Sequence, residues 1–130
     1  MLVFDTTILI DALHCKKAAL KKIAELEETE ETICTTQINV LELYKGAYLP
    51  TKSDANVQKV KKLLDAFVVL HIDDDTYEWF AALSAELKSR GDSMGDFDAL
   101  IAAITMTNGA AIVSKDNHFG RIPGLRVISY

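Results

Sequence analysis

Five short apolar runs, at residues 2–4, 32–35, 68–72, 110–113 and 126–128, are separated by stretches whose apolar positions recur at helical spacing. The runs are short and mainly β-branched, as buried strands are. Between residues 18 and 26, Ala19, Leu20, Ile23 and Leu26 fit one helix face, while Lys21, Lys22 and Glu25 fit the other. Further helical patterns cover residues 37–48, 75–90 and 97–107. Pro50 is expected to break the first of these, with Ser53 or Asp54 capping a helix after it; Gly91 stops the second and Asn108-Gly109 the third. Strands that alternate with helices predict an α/β fold: a central, mainly parallel sheet of four to five strands, with right-handed crossovers placing helices on both faces in three layers.

A chain of 130 residues, 49% hydrophobic and 25% charged, fills one core, so a single soluble domain over residues 1–130 is expected. Its apolar runs fall short of the roughly 20 residues that span a bilayer, and the N-terminus lacks a signal-peptide pattern. The expectation is a cytoplasmic protein with no membrane association. Cys15 and Cys34 have neither CxxC spacing nor a neighbouring His pair, so both read as reduced packing residues. A net charge of -5, with basic clusters no longer than Lys16-Lys17 and residues 59–62, argues against DNA binding by simple phosphate neutralisation. Excess acid fits a pocket that concentrates cations.

The topology says where the acids gather. In parallel α/β sheets, ligands bind outside the carboxyl ends of the strands. Asp5 ends the first apolar run, Asp98 falls in the first turn of the 97–107 helix, and Asp116 follows the strand which that helix feeds. All three converge on one rim. Glu42 lies inside the 37–48 helix, about 9 Å from its start at 1.5 Å per residue, and borders the apolar stripe. Ionised carboxylates brought together in a partly desolvated place repel one another. Divalent cations resolve that conflict, and oxygen ligands without His or Cys suit Mg²⁺ or Mn²⁺ over zinc. Such ions assist phosphodiester cleavage by activating water and stabilising the leaving oxygen.

Each acid has a plainer reading. Asp5 suits an N-cap of the helix that follows. Asp116 suits a turn in "SKDN". Glu42 could pair with Lys45 at i, i+3. Asp96, next to Gly95, suits a cap, or an accessory metal ligand beside Asp98. Asp73, Asp74 and Asp75 read as a charged helix start. His118 reads as structural or solvent-facing rather than as a proton donor. Trp79 and Phe80, with Leu83, read as filling a core or a dimer face, and Lys45 and Arg121 as candidate phosphate contacts.

The blocks "DTTILIDAL", "INVLELYKGA", "MGDFDALIAAI" and "IVSKDNHFGRIPGLRVI" occur in this order over nearly the whole chain. Together they resemble the signature blocks of PIN-domain ribonucleases of the VapC toxin type. The resemblance implies that Asp5, Glu42, Asp98 and Asp116 form the family's acidic metal-binding quartet. It also implies that Thr6 and Thr7 occupy the hydroxyl or amide positions after the first acid, Thr7 standing where Asn or Ser is usual, and that Ser114 is the hydroxyl residue two before the last acid. A PIN-like α/β/α fold, Mg²⁺- or Mn²⁺-dependent cleavage of RNA, a homodimer, and an antitoxin whose basic tail enters the acidic groove are implied likewise.

The same residues bear on three other functions. A PIN nuclease of RNA processing or decay needs no antitoxin, and a neighbouring reading frame for a small DNA-binding protein separates the two. A phosphoryl-accepting receiver domain also gathers acids at strand ends, but Asp98 and Asp116 come too late in the chain for its pattern. A metal-free PIN fold used only for binding is disfavoured because all four acids are present.

Overall fold

The computed structural model describes residues 1–49 and 53–130. Its order is β1 (Leu2–Phe4), α1 (Thr6–Leu13), α2 (Lys17–Glu27), β2 (Ile33–Thr36), α3 (Gln37–Tyr48), α4 (Ser53–Leu64), β3 (Val68–Leu70), α5 (Asp74–Ser89), α6 (Asp96–Thr107), β4 (Ala111–Val113), a 3-10 turn (Asn117–Arg121) and β5 (Val127–Ile128). The strands form one sheet in the order β3-β2-β1-β4-β5, parallel throughout. Val3 pairs with Cys34 on one side and Ile112 on the other. The expected mainly parallel α/β sandwich is therefore present, with every neighbouring pair parallel.

β1 lies in the centre, and all three of its residues are buried. Alternation along a strand sends its side chains to opposite faces. Val3 packs with Ile101, Ile104, Leu87 and Phe119 from α6, α5 and the 3-10 turn. Leu2 and Phe4 pack on the other face with Ile8, Leu9, Leu43, Val57 and Val60 from α1, α3 and α4. The Phe4 ring meets Phe67 edge-on at 5.3 Å between centroids. Helices thus cover both faces, and no helix among the described residues is long and apolar enough to cross a membrane.

The chain first builds outward from β1 through β2 to β3, then crosses to lay β4 on the other side of β1. The strand order reverses at the β1–β4 boundary, the position at which ligands bind in open α/β sheets. The Asp5 N–H still donates to the Val113 carbonyl at 3.1 Å, so Asp5 and the turn after β4 leave the sheet together.

Several boundaries differ from those read in the sequence. β2 runs one residue further, because Thr36 both ends the strand and caps α3 in a reciprocal box with Asn39. β3 stops at Leu70, and the Ile72 N–H is taken by the Gln37 side chain instead of a strand. Asp73 caps α5 in a box with Thr76, which bears out the charged helix start. Gly91 and Gly109 take positive φ, 72° and 63°, after α5 and α6, as helix-terminating residues do. Ser53 and Asp54 fall within the first turn of α4, while the break expected at Pro50 lies outside the described residues. Cys34 is buried as expected, but Cys15 is exposed: it follows the His14 C-cap of α1 with φ 55°, a left-handed position that turns the chain. Likewise Leu83 joins the core, but Trp79 is 45% exposed.

Candidate active site

Asp5 occupies the N-cap position of α1, yet its carboxylate makes no capping bond to the helix. It is 4% exposed and turns inward to other partners. Oδ2 accepts from the Ser114 hydroxyl at 2.8 Å and from Thr7 at 3.2 Å, while Oδ1 accepts from the Asn39 side-chain amide at 3.2 Å. A capping acid would spend its oxygens on the first turn. This one is held as part of a polar network.

Ser114, on the residue after β4, is buried and joins the first acid to the last. Its hydroxyl donates to Asp5 and accepts the Asp116 N–H at 3.0 Å. Asp116 in turn caps the 3-10 turn: Oδ1 accepts the His118 N–H at 2.9 Å and lies 3.0 Å from His118 Nδ1. The turn reading of Asp116 is therefore correct for one oxygen. Asp98, half-buried in the first turn of α6, approaches from the opposite face of the sheet, and one ligand atom from each of Asp98, Asp116 and His118 falls within 4.8 Å of the others.

Glu42 is held from α1. Its Oε1 accepts from the Thr6 hydroxyl at 2.8 Å, and the Thr6 oxygen accepts from Asn39 at 2.9 Å. Asn39 therefore spends its amide on Asp5 and Thr6, while its own Oδ1 accepts from the Thr36 N–H at 3.2 Å and hydroxyl at 2.7 Å. No ion pair joins Glu42 to Lys45 among the described residues; the hydroxyl of Thr6 takes that place. Asn39 was not singled out from the sequence. Its signal was the capping spacing Thr36-x-x-Asn39, which reads as local helix chemistry until the tertiary partners are seen.

The electrostatics follow from this crowding. Burial raises the Asp5 carboxyl above its usual range, against the Ser114 hydrogen bond, and the charge of Asp116 adds to the rise. Burial likewise raises Glu42, opposed by Thr6 and reinforced by Asp5 and Asp98. Asp98 is raised by burial, then by Asp5 and Asp116. The four acids act on one another as a unit. Asp5, Glu42 and Asp98, which burial and their neighbours make resist ionisation, are oxygen donors that fit a hard divalent cation.

Other sequence candidates fall elsewhere. Gly95, not Asp96, is the N-cap of α6, because the helix begins one residue earlier than the apolar pattern suggests. Asp96 is exposed in the first turn, where its charge complements the helix dipole, and it lines a shallow hollow with Ser84, Lys88 and Met94 on the α5 side. The structure does not bring it into the hydrogen-bonded network of the other acids. Lys45 and Arg121 are exposed, and neither bonds to the four acids among the described residues. Beside Glu42, a cleft of about 360 Å³ opens between α1, α3 and α4, with Ile10, Leu13, Leu43 and Val60 as apolar walls and His14 and Lys59 among its polar groups.

Comparison with known proteins agrees with this architecture. The chain is 28% identical over 123 residues to ribonuclease VapC2 of Haemophilus influenzae, covering 94% of this chain and 92% of that one. It is 27% identical, over the same length and shares, to the tRNA(fMet)-specific endonuclease VapC of Shigella flexneri. Among solved structures, VapBC2 from Rickettsia felis, bound to a promoter DNA fragment, superposes with a TM-score of 0.92 at 23% identity, covering 99% of this chain and 98% of that one. A toxin-antitoxin complex from Klebsiella pneumoniae gives 0.77 at 26% identity, covering 98% and 96%. The model of the family described as PIN domain matches residues 2–125, nearly the whole α/β sandwich, and the chain belongs to that family.

Proposed function

We propose that the chain is a divalent-metal-dependent endoribonuclease that hydrolyses RNA phosphodiester bonds at Asp5, Glu42, Asp98 and Asp116, and that it is the toxin of a toxin-antitoxin pair. The observation that carries this reading is the shared network at the sheet's switch point, in which Ser114 joins Asp5 to Asp116 while burial and mutual repulsion raise Asp5, Glu42 and Asp98. Mg²⁺ would be the occupant and Mn²⁺ a substitute, and the carboxylates of Asp5, Glu42, Asp98 and Asp116 would hold it. A bound ion would lower the pKa of its water and stabilise the leaving oxygen.

The chain's own residues prepare that chemistry. Asn39, Thr6, Thr7 and Ser114 fix the carboxylate orientations before anything binds, so little reorganisation is left for the reaction. Cation binding replaces the protons that the raised carboxyls favour. The -5 net charge and the apolar cleft beside Glu42 support an antitoxin segment that pairs an apolar face with a basic tail. Exposed Tyr77 and Phe97, 63% and 46% accessible, support the homodimer.

The test is cleavage of a pool of structured and single-stranded RNAs, initiator tRNA included, by purified protein in Mg²⁺, Mn²⁺ or EDTA, beside Asp5→Asn and Asp98→Asn. Metal-dependent cutting that both variants lose is expected. Equal cutting in all three proteins identifies a contaminant, and inactivity of folded, antitoxin-free protein in every metal overturns the nuclease reading in favour of a binding role.

A further inference from the structure

Asp11 stands six residues after Asp5 on the same helix, about 9 Å further along its axis. It is only 6% exposed, yet it is not one of the rim acids. Its Oδ2 accepts from Lys115 Nζ at 2.6 Å and from the Tyr130 hydroxyl at 2.8 Å, and Oδ1 faces Lys16 Nζ at 3.3 Å. Lys115 is the residue between Ser114 and Asp116. Ser114 is fixed by Asp5 and Thr7 at the start of α1 and by its own N–H to the Ile128 carbonyl. Beyond Ser114 the turn is tied back to α1 by Lys115 to Asp11, the contact that bears on where Asp116 stands.

We propose that Asp11 is a positioning residue, which through Lys115 clamps the turn from Ser114 to Asp116 against α1 and so sets where Asp116 stands relative to Asp5. Asp11 itself is covered by three donors, although both lysines are about half exposed; a single exposed pair would contribute little, and here three donors converge on one carboxylate. Lys16 and Tyr130 also face Asp11, but neither belongs to the turn. The functional consequence rests on the nuclease reading above. The geometric one does not.

The test compares wild type, Asp11→Asn, Lys115→Met, Lys115→Arg, the double variant Asp11→Asn with Lys115→Met, and Lys16→Met. Amide hydrogen exchange, followed by NMR without metal or RNA, reads the Asp116 and His118 N–H groups that Ser114 and Asp116 accept. Faster exchange at these two amides, by about tenfold for a clamp of ordinary hydrogen-bond strength, is expected in Asp11→Asn and Lys115→Met, with the α5 and α6 amides unchanged. The double variant should be no looser than either single, Lys115→Arg should restore protection, and Lys16→Met should leave it intact. Lys115 is half exposed, so Lys115→Met tests the contact without opening the core. Mn²⁺ affinity by EPR should fall several-fold alongside, and kcat should fall more than KM rises.

Unchanged exchange at Asp116 and His118, or loosening spread evenly over the chain, overturns the clamp. Loosening by Lys16→Met as great as by Lys115→Met overturns it too. If the nuclease reading alone is wrong, the exchange pattern appears as expected while no protein in the series cuts RNA.

Discussion

The Ser114 hydroxyl reaches across 109 residues of chain to donate to Asp5 Oδ2 at 2.8 Å. The contact spans the boundary between β1 and β4, the one place in the sheet where strand order reverses. It is short because the backbones are already tied there by Asp5 N–H to the Val113 carbonyl. Sheet register thus decides that two distant parts of the chain share one polar site.

Ser114→Ala removes that hydroxyl from a buried position and leaves Asp5 Oδ2 and the Asp116 N–H each one partner short. The expected loss of stability is about 1–3 kcal/mol, as for other buried polar groups left unsatisfied. Urea unfolding in EDTA measures it. Activity per folded molecule should fall as well, since both Asp5 and Asp116 lose an orienting bond. A variant as stable and as active as wild type would show the bridge to be dispensable.

Asn39 makes a sharper comparison. Its amide donates to Asp5 and Thr6, so Asn39→Asp keeps the shape but replaces donors with a fifth carboxylate facing Asp5. The metal-free variant should lose about 2 kcal/mol or more at neutral pH and recover part of that in mild acid, where the added carboxyl takes a proton. Asn39→Ala should lose a similar amount without the pH dependence. Thermal melts of the two at both pH values separate lost donors from added charge.

How far the sequence foretold this site depends on the range of the contacts. The rim positions of Asp5, Asp98 and Asp116 follow from strand ends and helix starts, which apolar periodicity reveals. The partners of those acids do not, because Asn39 to Asp5 spans 34 residues, Thr6 to Glu42 spans 36, and Lys115 to Asp11 spans 104. Neither Asn39 in "INVLELYKGA" nor Asp11 in "DTTILIDAL" carries a local signal of these partners. Both are buried, and both are satisfied only by elements distant in sequence. The cap reading of Asp96 fails for a local reason, a helix start one residue earlier that puts Asp96 in the first turn; Cys15 is exposed because it follows the end of α1 at φ 55°.

Asp98→Asn separates function from stability. Asp98 is raised by burial and by its acidic neighbours, so neutralising it relieves repulsion in the metal-free fold. In EDTA at neutral pH the variant should melt about 2 °C higher than wild type, as a gain near 0.5 kcal/mol implies at this chain length. Metal-dependent cleavage should be lost in the same protein. A lower melting temperature in EDTA would mean that Asp98 supports the fold and not only the site.

The pH dependence of stability should carry two opposite contributions. Asp5, Glu42 and Asp98 sit above their ordinary values of 3.8, 4.5 and 3.8, so the folded protein holds their protons more tightly than the unfolded chain does. Their contribution is full below those ordinary values and drains away as pH rises through the raised ones. Asp11 runs the other way: Lys115 first, then Tyr130 and Lys16, outweigh burial and hold it at about 2. Its contribution is full above 3.8 and disappears as pH falls toward 2. In EDTA the melting temperature should therefore peak in mild acid, falling toward neutral pH as the rim acids ionise and more steeply in strong acid as Asp11 is protonated. Saturating Mn²⁺ should remove the neutral-side fall, because the ion takes the place of the protons, and its affinity should rise with pH over the same window. Melts against pH with EDTA and with Mn²⁺ test both limbs. An EDTA curve that stays flat from mild acid to neutral pH would sink the account of the rim acids, whereas an Asp11→Asn curve with an unchanged acid limb would sink the account of Asp11.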